Sequence, residues 1–169
     1  MTMLVAVDLF GREMESAESL FIGNGDHDPD LRALKAQRHG DVGELLTFAD
    51  LISRKYEAAI QKGVHTDVNV EVNGIYRRLQ VKASGSNRFG PGGGHKGTGV
   101  NGGKLARPFG SYKGLIDGFA FVSLPTKAVY YMHIDAIADD QSGVTISNLS
   151  RDACNMSWNE MLRRFGDAA

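Results

Sequence analysis

Asn73-Gly74 stands between two runs whose residues alternate in polarity, TDVNVEV (66–72) and IYRRLQVKA (75–83). Asn and Gly both accept the positive φ that a two-residue hairpin turn demands, so the pair predicts a β-hairpin. The turn then sets the register: Val72 opposes Ile75, Glu71 opposes Tyr76, Asn69 opposes Arg78 and Asp67 opposes Gln80. Side chains alternate along a strand, which puts Val68, Val70 and Val72 on one face and Asp67, Asn69 and Glu71 on the other. Lys82 lies two residues beyond Gln80, on the polar face. Opposed residues have Cβ atoms about 4.5–5.5 Å apart. A carboxylate, an amide and an ammonium are therefore expected to meet on one patch, and a slip of one residue would scatter them.

The rest of the chain frames this hairpin. GDVGELLTFADLISRKYE (40–57) carries Val42, Leu45, Leu46, Ala49 and Ile52 at helical spacing. Asp41 and Glu44 stand in the relation of a capping box, which predicts that the helix starts at Asp41 and fades near Lys55. YEAAI (56–60) reads as a short buried strand. Downstream of the hairpin, GFAFVSL (118–124) and AVYYMHI (128–134) read as two strands joined by a turn at Pro125-Thr126-Lys127. Ser157 and Glu160 form a second capping-box pattern ahead of NEMLRRF, a short final helix. Upstream, Met3–Leu9 is compatible with a strand, GNGDHDPD (23–30) is turn chemistry, and a short helix over Leu31–Gln37 is expected.

With 169 residues the chain suits a single domain: an extension over 1–38, a core over 39–137 and a C-terminal segment over 138–169. The element order predicts the α/β class, a mixed sheet flanked by helices. Interrupting it is a long Gly-rich loop, residues 84–114. Loops of that length inside a compact domain are functional or disordered.

Net charge is −1, which conceals an uneven distribution. Met1–Glu71 holds 13 Asp and Glu against 7 Lys and Arg. Between Lys82 and Ile116 there are six cations, Lys82, Arg88, Lys96, Lys104, Arg107 and Lys113, and no acid. A near-neutral chain can therefore present a basic face that follows a phosphate backbone, with glycines allowing close approach. A disordered insertion is the plainer alternative. GPGGGHKG lacks the GK[ST] of a nucleotide P-loop. The lone Cys154 excludes an intrachain disulfide or a cysteine zinc site and fits a cytoplasmic location. No apolar run approaches the ~18 residues of a membrane span, and the acidic start does not resemble a signal peptide.

The polar patch suits phosphodiester hydrolysis, which needs a hard cation and an activated water. Mg²⁺ takes oxygen ligands and keeps several waters. Asp67 would supply a charged oxygen, and the Gln80 side chain or the Val81 backbone carbonyl a neutral one. Lys82 would orient water or phosphate. Arg78 shares this face, and His65, expected near Lys82, is a second candidate proton acceptor. Arg77 falls on the opposite face as a structural or exposed residue, and Arg163 and Arg164 suit the end of the last helix. An ordinary cross-strand charge pair remains the bland alternative for Asp67 and Lys82.

The segment DVNVEVNGIYRRLQVK (67–82) resembles the core of the PD-(D/E)XK nuclease superfamily, in which an Asp on one strand and an (E/D/Q)-x-K triplet on the next bind metal. Here the triplet reads Gln80-Val81-Lys82, the form seen in the group I intron homing endonuclease of cyanobacteria and its bacterial and phage relatives. GDVGELLTFADLISRKYE (40–57) is similar to that family's glutamate-bearing helix, and IDGFAFVSLPTKAVYYMHIDAI (116–137) to its later hairpin. Thr66 stands where the superfamily name has Pro, and Gln80 replaces a carboxylate.

The resemblance implies a restriction-endonuclease-like fold and a Mg²⁺-dependent endonuclease, with Mn²⁺ able to substitute. It would cut double-stranded DNA at specific sequences, leaving 5′-phosphate and 3′-hydroxyl ends. Glu44, Asp67, Gln80 and Lys82 become the catalytic set, with Glu44, Asp67, Gln80 and Val81 around the metal. Arg78, Arg88, Lys96, Lys104, Arg107 and Lys113 are the DNA-contact candidates. Glu44 is equally a helix cap. One centre cuts one strand, so double-strand cleavage implies a homodimer or larger symmetric oligomer. A Holliday-junction resolvase, a restriction-type enzyme, or an inactive nucleic-acid-binding module with Gln80 marking lost metal affinity are the alternatives.

Overall fold

The computed structural model describes residues 29–63, 65–91 and 108–167. The expected strand at Met3–Leu9, most of the 23–30 turn, and the loop residues His95, Lys96, Lys104 and Arg107 lie outside the described residues. Contacts group the chain into two compact units, Met1–Arg38 and His39–Ala169. Of the first, only the helical residues from Pro29 are described.

Helix α1 runs from Pro29 to Ser53. Proline suits a first helical position because its missing N–H would have no partner there. The predicted start at Asp41 is therefore wrong: Asp41 and Glu44 sit inside the helix, and no capping box exists. Their spacing carries boundary information only when the preceding residues are not helical. The separate helix expected over Leu31–Gln37 is the beginning of α1. The helix ends as expected near Lys55, which adopts φ 67° while the Tyr56 N–H donates to the Leu51 carbonyl at 3.1 Å. That is the helix-ending turn usually given to glycine.

Strand β1 is Ala58–Ile60, β2 Val68–Val72 and β3 Ile75–Ser84. The β2–β3 register is the predicted one, from Val72 opposite Ile75 to Val68 opposite Leu79. Asn73 and Gly74 have φ 55° and 78°, the two positive values the tight turn requires. β1 is an edge strand and not the buried one expected: Ala59 and Ile60 are exposed. Short edge strands limit the unpaired backbone a sheet presents.

Strand β4 (Arg88–Phe89) pairs with β7 (Val144–Thr145) in a small separate ribbon. β5 (Gly118–Ser123) and β6 (Ala128–His133) form the second predicted hairpin. β5 runs parallel to β3, while the other pairs are antiparallel. The result is a five-stranded mixed sheet in the order β1-β2-β3-β5-β6 with two helices, the α/β class that the element order predicts.

Alternation gives the sheet two buried faces. On one, Val68, Val70, Val72, Leu79, Val81, Ala120 and Val122 pack with Leu51 of α1 and with Trp158, Met161 and Phe165 of the final helix. On the other, Phe119 and Phe121 pack with Phe89, Phe109, Tyr112 and Ile116. That final helix, α2, spans Arg151–Asp167, longer than the short helix expected. Its start is marked by Ser150, whose Oγ accepts from the Ala153 N–H, and not by Ser157. Ser157 is buried mid-helix, where its Oγ donates to the Cys154 carbonyl and accepts from the Tyr131 N–H. A hydroxyl bonding to a neighbouring strand mimics a cap in sequence. Arg77, on the helix face as expected, donates to the Phe165 carbonyl and lies over that ring.

Candidate active site

Asp67 precedes β2 by one residue. Its N–H donates to the Leu79 carbonyl at 3.0 Å, although Leu79 already opposes Val68. Two residues thus face one, as in a β-bulge, and bulges re-aim side chains. The Asp67 carbonyl turns the other way, accepting from the Gln61 N–H at 2.9 Å. The predicted encounter of Asp67 with Gln80 does occur, through this bend and not through a straight ladder. Oδ2 of Asp67 accepts from the Val81 N–H at 2.8 Å and from the Gln80 side-chain amide in a short contact.

The N–H and C=O of one strand residue point toward the same neighbouring strand. The Val81 N–H points at Asp67, so its carbonyl opens on the same side. Burial is the first cause that raises the Asp67 pKa; the Val81 N–H and the charges of Lys82 and Lys62 work against it.

Lys82 follows on the same face, beside Phe121 of β5. Its Nζ lies 3.5 Å from the Tyr112 hydroxyl and 5.3 Å from the centre of that ring. Burial among these aromatics lowers the Lys82 pKa, and the charge of Asp67 opposes the shift. The Tyr112 hydroxyl donates onward to the Pro91 carbonyl at 3.1 Å. His65 packs edge-on against Tyr112, with centroids 6.1 Å apart, so His65 and Lys82, expected to be neighbours, both meet the same ring.

Glu44 approaches from α1. Gly43 makes this possible: a Cβ there would stand 2.7 Å from the Cβ of Ala83 and 3.2 Å from Cγ1 of Val81. The helix therefore lies directly on β3, and the next residue, Glu44, feels the charge of Asp67. The Glu44 pKa is raised first by burial and then by the charge of Asp67, with Lys62 opposing. Lys62 places Nζ 2.7 Å from Asp41 Oδ1 and 4.0 Å from Glu44 Oε2.

Sequence reasoning missed Lys62 and Tyr112. Lys62 follows the misjudged edge strand, and Tyr112 lies at the end of the Gly-rich segment, where no periodicity marks it. Among the DNA-contact candidates, Arg78 is not free: its Nε and backbone N–H both meet Asp117 Oδ2. Lys113 pairs with Asp139 at 2.5 Å. Arg88 is exposed on β4.

Among the described residues no three His, Cys, Asp or Glu converge as a metal cluster. The donor set is leaner, two neighbouring carboxylates (Glu44, Asp67) with neutral oxygens at Gln80 and Val81. That set fits a hard cation that keeps most of its water. A cleft of about 860 Å³ between β6 and α2, lined by Tyr130, His133, Asn148 and Met156, lies apart from these groups.

No family model matches the chain, and neither does any curated protein sequence. Among solved structures the fold is similar to that of a bacterial homing endonuclease, I-Ssp6803I, with a TM-score of 0.50 and 12% sequence identity, over 77% of this chain and 93% of that one.

Proposed function

We propose that the chain is a metal-dependent, sequence-specific DNA endonuclease of the PD-(D/E)XK kind, acting on double-stranded DNA. The reading is carried by the convergence of Asp67, Gln80 and Lys82 at the mouth of one hairpin, with Glu44 beside them. The likeness of fold to a homing endonuclease supports it.

Asp67 and Glu44 would hold Mg²⁺ or Mn²⁺, with the Val81 carbonyl and the Gln80 amide oxygen as neutral partners. The bound cation would stabilise charge on the phosphate and acidify a water. Gln80 presents its N–H to Asp67 in the free chain; rotating the amide presents oxygen instead. Lys82, with its charge disfavoured by burial, would accept a proton from the attacking water or hold it in line, and Tyr112 fixes the ammonium against the aromatic wall. Arg88 and the cations of the Gly-rich segment would follow the backbone. Cutting both strands calls for two copies related by a two-fold axis.

The test is nicking of a randomised duplex library with Mg²⁺. Wild type should cleave a few sequences. Asp67→Asn and Lys82→Ala should each lose at least about 100-fold, the scale of a missing general base or charge stabiliser. Cleavage that survives in both variants would place the chemistry elsewhere.

A further inference from the structure

Three acids, Asp41, Glu44 and Asp67, face two cations, Lys62 and Lys82, and the cations are held in opposite ways. Lys82 is fixed by packing against Tyr112. Lys62 is 68% exposed: its ammonium donates a hydrogen bond to Asp41 Oδ1 at 2.7 Å and lies 4.0 Å from Glu44 Oε2. Asp41 and Glu44 are three residues apart on α1, so their side chains neighbour each other on one face. The ammonium of Lys62 is therefore anchored on Asp41 and also lies beside Glu44, one of the two carboxylates proposed to hold a divalent cation, and its field reaches Asp67 as well. A divalent cation placed between Glu44 and Asp67 would repel it. A long exposed side chain can answer that repulsion by swinging away, with little packing to lose.

We propose that Lys62 is an internal counter-ion that trades places with the metal: it balances Asp41 and Glu44 in the free chain and, once displaced, moves to a DNA phosphate. Metal binding and DNA binding are thereby coupled through one side chain. Lys62 is a positioning residue on this account, and the account rests on the nuclease reading. A plain surface ion pair would have no such consequence, because exposed pairs form and break at little cost.

The experiment is calorimetric titration of the full chain with Ca²⁺, which takes the same oxygen ligands without the need for turnover. Wild type is compared with Lys62→Met, Lys62→Arg and Asp67→Asn. The expected result is binding by wild type, loss in Asp67→Asn, and binding about fivefold tighter in Lys62→Met, the scale of one exposed charge interaction removed. Lys62→Arg should match wild type. On a random-sequence duplex, Ca²⁺ should then raise DNA affinity less in Lys62→Met than in wild type, because the released phosphate contact is missing. Equal Ca²⁺ affinity in wild type and Lys62→Met overturns the exchange and leaves the metal site standing. Absence of Ca²⁺ binding by wild type, or unchanged binding in Asp67→Asn, overturns the nuclease reading and the exchange together.

Discussion

The β2–β3 hairpin turns at Asn73-Gly74, and the β5–β6 hairpin turns just before Ala128, where Lys127 takes φ 56°. They are joined by the parallel pairing of β3 with β5, which sets Gln80 beside Phe119 and Lys82 beside Phe121. Every residue of β5 is buried. Phe119 and Phe121 stack at 5.6 Å and 17°. Adjacent rows of one sheet face thus change from phenylalanine to a charged site within a single strand spacing. The second hairpin supplies the dry wall, and the first places ionisable groups against it. Desolvation is the leading cause of the displaced pKa values of both Asp67 and Lys82. Both hairpins feed the core, the first through Val68, Val70, Val72, Leu79 and Val81, but only the first also keeps ionisable groups out of water.

The sharpest way to break this contrast is to truncate each hairpin in turn. Phe121 is fully buried, so Phe121→Ala should cost about 3–5 kcal/mol in urea unfolding, from lost burial and an unfilled cavity. Tyr76, near the turn of the first hairpin, is 64% exposed. Tyr76→Ala should stay within about 0.5 kcal/mol. Similar costs for the two would mean that the phenylalanine wall carries no special share of the core.

A second pair of variants tests how the first hairpin receives Glu44. Both Gly40 and Gly43 lie in α1. An added Cβ at Gly40 meets nothing within 4 Å, whereas at Gly43 it meets the Cβ of Ala83 at 2.7 Å. Alanine is the better helix former by about 1 kcal/mol, so Gly40→Ala should stabilise by up to that amount. Gly43→Ala should destabilise by about 1 kcal/mol, because overpacking outweighs propensity. It should also lower nicking, since Glu44 is pushed from Asp67. A gain in stability at both positions would show that α1 can drift on β3 without consequence.

Much of this was legible in the sequence. The positive-φ pair at 73 and 74 fixed the β2–β3 register, and alternation placed Gln80 and Lys82 on one face. Two features were hidden, for different reasons. The start of α1 was misread because Asp41 and Glu44 mimic a cap, while the actual signal, Pro29, lay in a turn-like context. The bulge at Asp67 was invisible because alternation continues through Val68, and only the Asp67 N–H bond to Leu79 reveals it. Lys62 and Tyr112 belong to the site through tertiary packing, which no local spacing encodes. Of the cations read as a DNA face, Arg78 and Lys113 are engaged by Asp117 and Asp139, two acids remote in sequence.

The smallest expected effect bears most directly on the contrast between the hairpins. Asp67 has a folded-state pKa raised above its ordinary value of 3.8. A raised carboxylate favours folding in its protonated form. Its contribution is therefore complete below about pH 3.8 and is lost as pH rises through the folded value. Asp67→Asn cannot titrate, so relative to wild type it should gain stability across that interval and then level off. The gain should be no more than about 1 kcal/mol, because the carboxylate is only partly buried and solvent screens it. Lys82 shifts in the opposite sense, lowered from 10.5, and its own window lies at higher pH. The measurement is urea unfolding of both proteins from pH 3 to 7. A variant that instead loses stability as pH rises would mean that the Val81 N–H and the Gln80 amide more than compensate for burial. Asp67 would then be an anchor of the hairpin, and the first hairpin would be no less self-supporting than the second. A gain in stability paired with loss of nicking is the signature of a group kept for chemistry at the expense of the fold.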